Sequence, residues 1–159
     1  MVGGVEMRAR SLIARGELKL ASDLLRSRVL ETDNPSPKLL NLLGVCEARQ
    51  GHRQAARDAF MKALTKSPRD PAALTNLGNL AYLEGDYDTA RDLYNRALRQ
   101  NVFLPEPRFN LVRSYQEMGH FEKAMMAFED YSMLGRTARW SRLLLLLGGI
   151  LLLIFFLRR

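Results

Sequence analysis

Residues 37–70, 71–104 and 105–138 repeat one pattern of 34 residues, and the three copies align without a gap. Pro37, Pro71 and Pro105 open the segments, and Leu43, Leu77 and Leu111 follow. Next come Gly51, Gly85 and Gly119, then Ala56, Ala90 and Ala124, then Phe60, Tyr94 and Phe128. Self-similarity of this length restricts the fold to stacked copies of one supersecondary unit, because a single copy is too small to bury its own apolar face.

Each landmark has a mechanical reason. Proline suits the first turn of a helix, where its missing N–H costs nothing, and Ser36 or Asp70 just before it can cap the exposed amides. Leu74, Leu77, Leu80 and Tyr82 or Leu83 then form an apolar stripe at helical spacing until Gly85 supplies a left-handed residue that ends the helix. A second helix starts near Tyr87. Gly78 and Ala90 are small enough for two antiparallel helices to cross closely, and the Tyr94 ring is expected to wedge between this pair and the next. The third segment has Val112 where the others have Gly44 and Gly78, and Tyr131 where they have Ala63 and Ala97, so it is expected to be wider or less regular.

This order of landmarks at this period resembles the tetratricopeptide repeat, a helix-turn-helix unit. The resemblance implies an all-α fold in which helix pairs stack into a right-handed superhelix whose first helices line a concave groove. It further implies that the groove binds an extended peptide or a partner's helix. Asn76 and Asn110, immediately before Leu77 and Leu111, match the family's asparagines that reach a peptide backbone; Asn41, Asn79, Tyr82, Phe109, Arg113 and Gln116 neighbour them. A side-chain amide carries both donor and acceptor, so it can pair with peptide groups of any sequence. Arg113 can add a charged bond to a carboxylate. The other reading of these asparagines is that they are solvated or cap a neighbouring turn. The family variant that clamps a chaperone's terminal carboxylate needs lysine or arginine at several groove places, where this chain has Val45, Glu106 and Asn110, so that mode is not expected.

Ahead of the repeats, Gly16, Ala21 and Leu25 reproduce the turn, close-contact and wedge spacing. Val5 to Arg15 and Glu17 to Leu30 therefore read as a degenerate helix pair, and residues 1–36 as the cap that an array needs at its water-facing end. Residues 32–37, TDNPSP, are a breaker cluster longer than the later connections. The first fourteen residues are interrupted by Glu6, Arg8 and Arg10 and hold no apolar run of signal-peptide length.

The net charge of +7 invites a nucleic-acid reading. Residues 135–159, however, contain Arg136, Arg139, Arg142, Arg158 and Arg159 with no acid, whereas the remaining 134 residues hold 19 basic and 17 acidic side chains. The array is nearly neutral and offers no basic stripe, so no nucleic-acid partner is expected. Cys46 is the only cysteine and falls where a small apolar residue fits a helix interior. His52 and His120 each follow a turn glycine two repeats apart and read as turn residues, not as a metal or catalytic pair. Asp88, Asp92 and Arg96 read as solvated ion pairing on one helix. No phosphate loop, paired catalytic carboxylates or nucleophile with a base can be assembled, so neither an enzyme, a metal nor a cofactor is expected.

Residues 135–142, GRTARWSR, form a short basic joint, and residues 143–157, LLLLLGGILLLIFFL, carry no polar side chain. A helix apolar all round belongs in lipid or in a large core. At 1.5 Å per residue, Leu143 to Leu157 would span roughly 22 Å, short of the roughly 30 Å of a hydrocarbon core. Trp140 at the interface, snorkelling by Arg142 and Arg158, and local thinning can make up the difference. The leucine, isoleucine and phenylalanine residues together favour insertion by roughly 4 to 8 kcal/mol. The expected protein is thus a non-catalytic adaptor or scaffold, tail-anchored in a membrane by its last helix. Its array is expected in the cytoplasm, at the inner membrane if the cell is bacterial. The alternative is an accessory or assembly subunit of a larger membrane complex.

Overall fold

A computed structural model describes residues 2–130 and 132, and all described secondary structure is helical. Seven helices run in chain order: α1 (Val2–Ala14), α2 (Leu18–Leu30), α3 (Pro37–Arg49), α4 (Arg53–Lys66), α5 (Pro71–Leu83), α6 (Tyr87–Gln100) and α7 (Pro105–Glu117). A further helical run, α8, covers residues 121–130. Residues 143–157, where the sequence places an apolar span, lie outside the described residues, as do Trp140, Arg142 and Arg158. Among the described residues no helix is long and apolar enough to cross a membrane.

The helix boundaries follow from local chemistry. Ser36 Oγ accepts the Leu39 N–H at 3.1 Å and Asp70 Oδ1 accepts the Ala73 N–H at 2.9 Å, so α3 and α5 begin with a side-chain cap and a proline in the first turn. The third segment lacks that cap, because Leu104 precedes Pro105. Gly16, Gly51, Gly85 and Gly119, one in each pair's turn, have φ between 72° and 85°. A side chain there would strain the backbone, which is why the same residue recurs at each turn.

Consecutive helices pack in antiparallel pairs and each pair packs on the next. In addition α1 touches α3, α3 touches α5 and α5 touches α7, while α2, α4 and α6 do not touch one another. The odd-numbered helices therefore form one continuous layer, and the even-numbered ones are spread behind it.

The core is strung between pairs. Phe60 and Ala56 of α4 pack with Leu80 of α5, and Tyr94 and Ala90 of α6 pack with Ala81 of α5 and Leu111 of α7. Leu25 and Ala21 of α2 join Cys46 and Leu42 of α3, so the first pair is built into the array. Each such ring or leucine, fully buried, contributes about 1.5–3 kcal/mol.

Some expectations are refined by this packing. Tyr94 reaches the next pair through Leu111, but its ring also lies against Gly78 of its own pair: a Cβ there would come within 2.7 Å of Tyr94 Cε1. Phe60 sits on Gly44 in the same way. Leu74 and Leu80 of the predicted stripe are buried and Tyr82 completes it, whereas Leu83 faces water. Asp88, three residues before Arg91 on the same face, and Asp92, its chain neighbour, pair with Arg91 at 2.9 and 3.0 Å, and not with Arg96. The third segment is indeed less regular: Val112 fills the glycine's place, and Phe128 is 54% exposed where Phe60 and Tyr94 are each 1% exposed.

Candidate functional site

The continuous layer of α3, α5 and α7 carries the eight groove residues singled out from the sequence, and the structure sorts them into separate groups. Asn76 Nδ2 donates to Asn41 Oδ1 at 3.1 Å, tying α5 to α3. Asn110 Nδ2 donates to Asn79 Oδ1 at 2.7 Å, tying α7 to α5. Asn79 Oδ1 also accepts the Tyr94 hydroxyl at 2.9 Å, and Asn79 Nδ2 donates to Glu106 Oε1 at 3.1 Å. Neither sequence reading of the asparagines anticipated this: they are neither simply solvated nor turn caps, but rungs between successive repeats.

The rungs leave binding capacity. The Asn41 amide nitrogen and the Asn76 side-chain oxygen have no partner among the described residues, so one donor on α3 and one acceptor on α5 are left over. Such a pair complements the N–H and C=O of one extended residue, which point to the same side of its chain.

One turn further along α5, Tyr82 closes the second group. Its hydroxyl donates to Glu117 Oε1 at 3.1 Å, and the Arg113 guanidinium stacks 4.8 Å from its ring centroid. Burial, then the bond to Glu117, raises the Tyr82 phenol above its ordinary range, against the pull of Arg113. Burial also raises Tyr94, with the Glu106 carboxylate acting in the same direction. Arg113 makes no salt bridge with a described residue, and its guanidinium is exposed. Phe109 is exposed one turn before Arg113. Gln116 is not part of either group; it lines a separate cleft with Val112 at the end of the array.

Sequence reasoning missed a charged cluster at the other end. Glu47, 1% exposed, takes a two-pronged bond from Arg26, with Nε to Oε1 at 3.0 Å and Nη2 to Oε2 at 2.8 Å. His52 Nδ1 lies 3.0 Å from the same Oε2. The bond to Glu47 raises the Arg26 guanidinium further above its ordinary value. The cluster joins α2 to α3 and to the turn before α4, so His52 has a partner as well as a place in the turn. The available signal was Glu47 itself, an acid where the other segments have Ala81 and Tyr115. Among the described residues no group of three His, Cys, Asp or Glu side chains could hold a metal ion.

Comparison with known proteins agrees with this architecture. The tetratricopeptide repeat profile matches residues 6–71 and 47–102, and a second profile of the same description matches residues 105–134. The RNA polymerase-associated protein CTR9 of Saccharomyces cerevisiae is 29% identical over 123 residues, covering 66% of this chain and 11% of its own length. Intraflagellar transport protein 70B of Bos taurus is 25% identical over 119 residues, covering 70% of this chain and 18% of its own length. The chain thus spans less than a fifth of these relatives. Among solved structures, that of MamA superposes with a TM-score of 0.79 at 19% identity, over 87% of this chain and 80% of MamA. Pseudomonas aeruginosa PilF superposes with a TM-score of 0.77 at 24% identity, over 84% of this chain and 61% of PilF. At such identities the superpositions speak for the fold alone, and the profiles cover most of the sequence: the chain belongs to the tetratricopeptide repeat family.

Proposed function

We propose that this protein is a non-catalytic adaptor whose groove, along α3, α5 and α7 of a right-handed superhelix, holds an extended segment of a protein partner. The observation that carries the reading is the unsatisfied donor and acceptor of the Asn41–Asn76 rung, in line with the Asn79–Asn110 rung and the Arg113 cation. Peptide groups of the partner pair with the first rung, and an acidic side chain or terminal carboxylate of the partner meets Arg113. The segment 143–157 anchors the chain in a bilayer with the array on the cytoplasmic side, which confines the groove near the surface and raises the local concentration of what binds there. Its support is the unbroken apolar sequence and the arginines that flank it.

Paired Asn76→Ala and Asn110→Ala substitutions test the groove. The partner crosslinked to the native chain in isolated membranes is expected to be lost while the protein stays in the membrane fraction. Undiminished crosslinking refutes the groove, and release of the intact chain at high pH without detergent refutes the anchor.

A further inference from the structure

The even charge of the array as a whole hides an uneven spread. Val29 at the end of α2, Leu40 at the start of α3, Ala63 and Leu64 at the end of α4 and Ala73 at the start of α5 share one cluster. Leu64 goes on to pack with Leu74 and with Ala97 at the end of α6, and Lys66 donates to the Asn34 side chain. The connections between pairs, residues 31–36, 67–70 and 101–104, therefore lie along one edge, opposite the glycine turns. Around the second and third of them, residues 62–70 and 96–108 hold six basic and two acidic side chains. Both acids are engaged within the fold: Asp70 caps α5 at the Ala73 N–H, and Glu106 accepts from Asn79. Lys62, Lys66, Arg69, Arg96 and Arg99 are exposed, and among the described residues none of them forms an ion pair. Acids return on either side, with Glu31 and Asp33 in the first connection and Glu129 and Asp130 at the end of α8.

The third connection adds apolar side chains to that charge. The Asp70 N–H donates to the Ser67 carbonyl at 3.0 Å and the Leu104 N–H to the Asn101 carbonyl at 3.4 Å, so both connections make the same turn. The 34-residue step takes Pro68 to Val102 and Arg69 to Phe103. Asn101 Oδ1 accepts the Phe103 N–H at 2.9 Å, and Arg108 Nε donates to the Val102 carbonyl at 2.6 Å, so two side chains pin this turn. It presents Val102 and Phe103 at 49% and 73% exposure. The helix macrodipole accounts for Lys66 and Arg99, which stand in last turns. It accounts neither for Arg69, outside any helix, nor for a phenylalanine held out in water. A single-stranded nucleic acid would answer the cations and stack on the Phe103 ring, but it leaves Val102 without an apolar partner. A bilayer interface answers both, since anionic headgroups meet the cations and the acyl boundary takes the apolar tip.

We infer that this edge of the array rests on an anionic lipid surface, with Val102 and Phe103 entering the boundary between headgroups and acyl chains while Lys62, Lys66, Arg69 and Arg99 meet the lipid phosphates around them. The contact goes beyond the adaptor role and does not depend on the segment 143–157. Because α3, α5 and α7 all start at this edge, the layer that carries the groove stands on end at the surface and stays open to the side. A tether alone would leave that orientation free.

A lipid-borne quencher reads the contact directly. The full chain carrying Cys46→Ala and Phe103→Cys is labelled with a fluorophore and added to preformed phosphatidylglycerol-containing vesicles that also hold nitroxide-labelled phosphatidylcholine. Gln54→Cys, exposed in the first turn of α4 at the opposite edge, is the control. The Phe103→Cys probe is expected to be quenched at least about threefold more than the control, because it enters the boundary where the nitroxide lies. Phosphatidylcholine alone, high salt, or Arg69→Gln with Arg99→Gln should each remove most of that difference, and the salt titration stands on the native charges should the double variant fold poorly. Equal quenching at the two edges, or quenching indifferent to both phosphatidylglycerol and salt, overturns the inference. A probe that responds to single-stranded RNA and not to vesicles overturns it in favour of a nucleic-acid surface. Extraction at high pH separates this contact from the anchor. If the Phe103→Cys probe is quenched and the chain then extracts, the anchor fails and the edge stands; if the chain resists extraction and the two probes are quenched alike, the anchor stands and the edge fails.

Discussion

Asn79 and Asn110 are joined across two repeats by a 2.7 Å hydrogen bond, and the accepting oxygen of Asn79 serves Tyr94 of the outer layer at the same time. One amide therefore fixes the spacing of α5, α6 and α7. Asn79→Leu leaves the Tyr94 hydroxyl and the Asn110 amide without their acceptor and is expected to cost about 1–3 kcal/mol in urea unfolding. Asn41→Ala, which removes a single half-buried rung, is expected to cost about 0.5–1.5 kcal/mol. Equal costs would show that the shared oxygen has no special weight.

The raised Tyr94 phenol predicts an alkaline limit. Its folded value lies above that of the unfolded chain, so the contribution is whole below about pH 10, where an unfolded tyrosine titrates. It is lost as pH rises towards the folded value, because the unfolded state gives up the proton first. Stability measured from pH 9 upward should fall more steeply in the native chain than in Tyr94→Phe. Parallel curves would contradict the shift.

Glu47 and Arg26 predict a non-additive pair. The carboxylate is buried while the guanidinium side chain is 52% exposed, so Arg26→Ala leaves a buried carboxylate with His52 as its remaining side-chain partner. The expected cost is about 1–3 kcal/mol, below that of a wholly buried pair. Adding Glu47→Leu to Arg26→Ala should recover much of the loss, since an apolar side chain suits the surroundings of Glu47 better than a buried carboxylate that has lost its guanidinium partner. A double-mutant cycle reads the coupling, and a double variant less stable than Arg26→Ala would refute it.

Cys46 should be inert while the array is folded. It is fully buried, and burial, with the Glu47 charge beside it, pushes the thiol up to about 11. At pH 8 little thiolate exists and no reagent reaches it, so modification should proceed at the rate of unfolding. Stopped-flow labelling checks this, and a rate independent of added urea would contradict it.

Gly78 and Gly44 are predicted to resist the commonest helix-stabilising change. Alanine at Gly78 would gain about 1 kcal/mol of helix propensity. Its Cβ would lie 2.7 Å from Tyr94 Cε1, and the ring is buried and held by its hydroxyl. Overpacking at about 1–3 kcal/mol outweighs the gain. Gly78→Ala should therefore lower the thermal midpoint, while Gly4→Ala, with nothing near its added methyl group, should not.

The repeat was readable because its landmarks act locally. Pro71 starts a helix and Gly85 ends one whatever surrounds them, so helix starts and turns could be placed from the residues themselves. The groove asparagines were found but their bonds were not. Asn76 bonds to Asn41 at a separation of 35 and Asn110 to Asn79 at 31, so neither rung keeps the 34-residue step that made the repeat visible. Arg26 and Glu47 are separated by the irregular stretch from Thr32 to Pro37, which hides which faces of α2 and α3 meet. Phe128 has the same identity as Phe60 but a different fate: Leu80 of α5 packs on Phe60, and among the described residues no helix follows α8.

The inner layer runs unbroken from α1 to α7 while the outer helices stand apart, and every junction between pairs is made by immediate neighbours. Tension applied between α1 and α7 would thus pass through these junctions in series, with no parallel strut among the described residues to share it. The array would yield at whichever junction is weakest and recoil one pair at a time.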